Sequence, residues 1–162
     1  MSIVVRREQP TKRRLALAVA AIFAVTAALP AVAHADDSGA FLSPSGNIVC
    51  GMGEGPDYMG AADCEVGEHL WVAPATTRGP EGRPCNFNFG GLQVYVDHGK
   101  AAALGCYEGA SSFTFPGLPT LAYGHSRSFG TITCDSERNG VTCTDSSTGH
   151  FFRVSRESYL LG

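Results

Sequence analysis

The 162-residue chain predicts an all-β fold: a small antiparallel sandwich or open barrel built from hairpins, stapled by disulfides, with little helix after an N-terminal export signal. Three observations carry that expectation. Six cysteines, Cys50, Cys64, Cys85, Cys106, Cys134 and Cys143, all lie beyond residue 35, an even number behind a leader of secretory type, and read as three disulfides. All 20 glycines and 7 of the 9 prolines lie there too, a density that interrupts helices and favours short strands between turns. The apolar residues of that part alternate in short runs rather than recurring at helical spacing.

The leader comes first. Arg6, Arg7, Lys12, Arg13 and Arg14 precede an uncharged apolar run from Leu15 to Leu29, which Pro30 ends. That run is within the range of a signal peptide and short of the roughly twenty residues a membrane-spanning helix needs. Ala33-His34-Ala35 is a small-x-small cleavage tripeptide, so the cut is expected after Ala35. Residues 36–40 are then a short disordered start, and residues 41–162 a single secreted β domain with no membrane span. The paired arginines leave the general and twin-arginine export routes both open.

The mature part begins with FLSPSGNIVC, where Pro44, Ser45 and Gly46 make a turn that feeds a strand from Ile48 to Cys50. Residues 53–63 form a breaker-rich loop, and Cys64 opens a second strand. Residues 73–84, APATTRGPEGRP, read as an exposed loop whose far end Cys85 pins. In NFNFGGLQVYV, Phe87 and Phe89 alternate with Leu92, Val94 and Val96 along one strand that Gly90-Gly91 bulges or bends. His98-Gly99-Lys100 turns the chain back towards Cys106. Phe113 and Phe115 alternate in a further short strand. FGTITC and VTCT flank Asn139-Gly140, the strongest short-range hairpin signal, and put Ile132, Cys134, Val141 and Cys143 on one buried face. Residues 155–161 suit either a terminal helical turn or an edge strand.

Six cysteines permit fifteen connectivities; hairpin proximity favours Cys50 with Cys64, Cys85 with Cys106 and Cys134 with Cys143. Each bridge would close a loop worth about 3 kcal/mol in the chain-entropy picture. Removing the leader leaves 7 Lys and Arg against 14 Asp and Glu, a net charge near minus seven, which excludes nucleic acid and anionic lipid as natural partners. No Cys-x-x-Cys occurs and no histidine stands at zinc spacing from a cysteine, so neither a metal nor a cofactor is expected.

Ser45 to Cys50, Tyr123-Gly124, Gly140 to Thr144, Gly149-His150, Phe152 and Ser155-Arg156 make the chain resemble, over about residues 41–161, an uncharacterised family of secreted actinobacterial proteins. The chain departs from that pattern at Phe151, where glycine is usual. The resemblance implies a secreted domain of unknown function and supplies no catalytic residues.

Gly124-His125-Ser126-Arg127-Ser128 is one residue from a hydrolase nucleophile elbow, but it precedes a strand instead of a helix and reads as a polar turn. No spacing links His69, His98, His125 and His150 as metal ligands; His98 and His125 lie beside glycine in expected turns, where a solvated histidine is ordinary, and His150 suits a structural hydrogen bond. The best expectation is a non-enzymatic exported binding module that contacts a cell-wall component or another secreted protein. Loops 53–63 and 73–84 would present its surface, with Tyr58, Trp71, Arg78, Arg83 and His150 as candidate contacts. Two competitors stand beside it: a protease inhibitor that inserts Arg78 or Arg83 from loop 73–85, and a small hydrolase of wall material.

Overall fold

The computed structural model describes residues 39–79 and 82–162; the expected signal segment and its cleavage site lie outside them. Ten strands form two five-stranded antiparallel sheets. The first is a meander of β1 (Gly39–Leu42), β2 (Ile48–Gly53), β3 (Ala61–Val66), β4 (Gly90–Asp97) and β5 (Ala103–Glu108). The second is a meander of β6 (His125–Phe129), β7 (Ile132–Glu137), β8 (Gly140–Asp145), β9 (Phe151–Val154) and β10 (Tyr159–Leu161). Neither closes on itself, so the architecture is a sandwich and not a barrel. Gly39 and Ala40, expected in a disordered start, pair in β1 with Met52 and Gly51, and residues 36–38 lie outside the described residues.

Alternation decides which side chains the sandwich buries. Phe41, Cys50, Ala62, Cys64, Val94 and Val96 of the first sheet face Ile132, Cys134, Val141, Cys143, Phe152 and Val154 of the second in one core cluster. Cys50 stands directly opposite Cys64, and Cys134 directly opposite Cys143, each pair with Cα atoms 4.0 Å apart. The third pair, Cys85 and Cys106, does not close a hairpin; it ties the 67–89 connection to the middle of β5.

The two sheets repeat one plan. Gly-x-Ile-x-Cys occurs at Gly46 to Cys50 and again at Gly130 to Cys134, and each copy opens the second strand of its meander and supplies the cysteine that bridges to the third.

Several local expectations change. Asn139-Gly140 marks the hairpin, but the two-residue turn is Arg138-Asn139, and Gly140 is the first residue of β8, paired with Glu137. Glycine is required there because φ is +131° and a Cβ would lie 2.3 Å from the Val154 carbonyl oxygen. Gly90 and Gly91 form no bulge; they pair in register with Glu108 and Tyr107. Phe87 and Phe89 precede that strand and are exposed. Phe113 lies in a 3-10 turn, Ser112–Thr114, capped by Ser111, instead of a strand. His125–Phe129 is an edge strand rather than a polar turn. β2 and β3 run into the expected 53–63 loop and leave residues 54–60 outside strands, and the 155–161 segment resolves as edge strand β10.

The meanders give the sandwich two ends. At one, loops 54–60, 98–102, 130–131 and 146–150 are knit by backbone hydrogen bonds, including His98 N–H to Gly60 O at 3.0 Å and Ser146 N–H to Thr131 O at 2.9 Å. The turn at 43–47, the starts and ends of the 67–89 and 109–124 connections, and the β7–β8 turn gather at the other.

Candidate functional site

β3 ends, β4 begins and β5 ends at the second end of the sandwich, so Glu65, Gly91 and Tyr107 come together there from strands distant in sequence. The residues that follow β3 fold back over this corner. Asn47 holds them in place: its side-chain amide donates to the Glu68 carbonyl at 3.0 Å and its side-chain oxygen accepts from Glu68 N–H at 2.8 Å. Trp71 then reaches across to the second sheet, where its Nε1 donates to the Ser155 carbonyl at 3.0 Å and its ring meets Tyr159 edge-on at 4.9 Å. His69 stacks on the other side of Trp71, 4.1 Å between ring centres, and its Nδ1 donates to the Trp71 carbonyl.

The result is a cleft of about 560 Å³, a size typical of small-molecule sites. Trp71, Phe87, Phe113 and Tyr107 supply aromatic walls, and Val72 and Leu92 extend the apolar lining. Phe87 is 59 % exposed and Val72 87 %, so the cleft is open to solvent at its rim.

One charged group lines this cleft. Glu65 is 5 % exposed, and its carboxylate accepts from Ser111 Oγ at 2.6 Å and from Ser112 N–H at 2.9 Å. Burial above all raises the Tyr107 phenol above its ordinary value, with Ser111 opposing that rise and the nearby Glu65 reinforcing it, so the phenol is protonated at neutral pH. Gly91 permits this arrangement: a Cβ there would lie 2.6 Å from the Tyr107 hydroxyl, so the ring rests where a side chain would stand. Sequence reasoning missed Glu65 and Tyr107. The only local trace of the former is a carboxylate inside a strand of small and apolar residues.

The residues singled out from sequence scatter over the molecule. Of the five candidate contacts, Trp71 alone reaches the cleft. Tyr58, exposed and at φ +63°, and His150 belong to loops at the opposite end. The His150 ring makes no hydrogen bond; the structural bonds at that position come from its backbone, which donates to Thr148 Oγ1 and accepts from Asp145 N–H. Arg78 donates to the carbonyls of Ala75 and Thr77, and Arg83 pairs with Glu108 at 3.7 Å, both on exposed stretches of the connection. Arg78 and Gly79 line one cleft with Ala61, Ala62 and Asp63, and Pro74, Thr76 and Thr77 line another with Tyr95, Leu104, Tyr159 and Leu161.

Ser126 Oγ donates to Asp135 Oδ1 on the exposed face of the β6–β7 pair. Among the described residues no group of three or more His, Cys, Asp or Glu could hold a metal ion, and no helix is long and apolar enough to cross a membrane. A second, polar cleft of about 500 Å³ holds Ser45, Asn47, Tyr123 and Arg156, and the Arg156–Glu68 pair at 3.7 Å crosses its mouth. Its serines close turns: Ser43 Oγ accepts from Ile48 N–H, and Ser155 Oγ from Glu157 and Ser158 N–H.

A family model described as a family of unknown function (DUF6636) matches residues 21–162. No curated protein and no solved structure matches the chain.

Proposed function

The chain belongs to that family of unknown function, and from its own geometry we propose that it is an exported, non-enzymatic binding module whose aromatic cleft takes a small, largely apolar molecule. The observation that carries the reading is the cleft at the β3, β4 and β5 ends: wide enough for a ligand, walled by four aromatic rings, and left open where a core would have closed. Export is supported by the leader and by the pairing of all described cysteines, an economy of thiols that suits an oxidising space.

Trp71 is the single tryptophan of the chain and forms one wall, so its fluorescence reports occupancy directly. Titration with small aromatic and alicyclic compounds should shift that emission saturably, and Val72→Asp, which places a charge on the rim, should weaken the uncharged ones. A flat response across the panel removes the reading. Export is tested by the mass of protein recovered outside the cell: the chain should start at Asp36 and gain two hydrogen masses per bridge on reduction.

A further inference from the structure

We infer that the ligand of this cleft is an organic cation, an ammonium group on an apolar body, with Glu65 as its counter-ion; the inference rests on the binding reading above. Three observations converge on it.

First, Glu65 is buried yet unpaired. Its hydrogen-bond partners are a hydroxyl and a backbone N–H, both neutral, and no Lys, Arg or His of the described residues forms an ion pair with it. A buried carboxylate is ordinarily matched by a positive charge, because its desolvation is costly and neutral donors offset only part of it. Second, the walls above it are rings. The faces of Trp, Tyr and Phe carry negative electrostatic potential and attract an ammonium or alkylammonium group, and a cage of them beside a carboxylate favours a cation over an isosteric neutral molecule. Third, the mature chain carries about seven net negative charges, which raises the local concentration of small cations and lowers that of anions. An anionic ligand would meet Glu65 without a compensating base, and a neutral apolar one would leave its charge unmatched.

The test compares two molecules with the same carbon frame, 2-phenylethylammonium and 2-phenylethanol, titrated into the oxidised secreted protein at neutral pH with Trp71 fluorescence as the readout. The cation should bind about tenfold more tightly than the alcohol, and Glu65→Gln should remove most of that difference while leaving alcohol affinity in place. Equal affinities overturn the inference and leave the cleft reading standing; binding of neither molecule removes both. Should Glu65→Gln fail to fold, Phe87→Ala takes its place. This change to an exposed wall should weaken the cation more than the alcohol, and the reverse order overturns the inference.

Discussion

Asp63 and Glu65 stand two residues apart on β3 and hold their charges in different ways. Glu65 has two donors; Asp63 has none among the described residues, and burial first, then the neighbouring charges of Glu65 and Asp97, push its pKa up to about 6. The sign is the less common one for a carboxylate. Because the folded pKa lies above the unfolded value, the native state holds an extra proton between pH about 4 and about 6, and stability falls as pH rises through that window and then levels off. Asp63→Asn should therefore stabilise the protein at pH about 7.5, by roughly 1–3 kcal/mol, and change little at pH about 3.5. Chemical denaturation at the two pH values checks this, and an equal effect at both would refute the assignment.

The β7–β8 hairpin shows how an element recruits a turn residue for a longer-range purpose. Asn139-Gly140 announces a hairpin, yet the glycine is spent one position later, where β9 passes so close that only hydrogen fits between Gly140 Cα and the Val154 carbonyl. Gly140→Ala should cost about 2–4 kcal/mol, through strain at positive φ together with a backbone clash. Gly149→Ala is the matched control: φ is +80° and no atom lies within 4 Å of the added carbon, so only the conformational strain of about 1 kcal/mol applies. Thermal unfolding of the pair separates the two contributions; similar losses in both would mean that β9 yields at no cost.

At the scale of the whole molecule the two sheets are held by more than the core. Asp145, fully buried at the end of β8, accepts from Gly99 N–H of the β4–β5 turn at 2.8 Å, and so ties the second sheet to the first. It also accepts from Ser147 N–H at 3.0 Å and from the Ser147 and Thr148 hydroxyls. Burial alone would raise its pKa, but the Gly99 and Ser147 donors outweigh that and hold it well below the ordinary carboxylate range. Its contribution is therefore complete above pH about 4 and is lost as pH falls below it. Asp145→Asn should destabilise the fold by roughly 2–4 kcal/mol at neutral pH, and its deficit should shrink in acid as the wild type loses the same interactions. A deficit independent of pH would show that the carboxylate's charge is not what the clamp uses. The same scale exposes the duplicated plan of the meanders, whose trace, Gly-x-Ile-x-Cys twice, is present in the sequence but gains meaning only when both copies open equivalent strands.

The sequence alone determined what local chemistry determines. Period-two alternation, glycine and proline punctuation and cysteine order specified strands, hairpins and an all-β class, because each depends on residues a few positions apart. The facing of Cys134 and Cys143 followed from the same short-range logic. Only the tertiary structure decided the site: Glu65 gains its donors from Ser111 and Ser112 more than forty positions on, and Trp71 its anchor from Ser155 at a separation of 84. Such encounters depend on how two sheets stack and where a connection folds back, and no local pattern encodes that. The exposed loops drew attention in the sequence because breakers are easy to read, whereas the cleft formed where a connection covered strand ends, out of residues that no local pattern groups together.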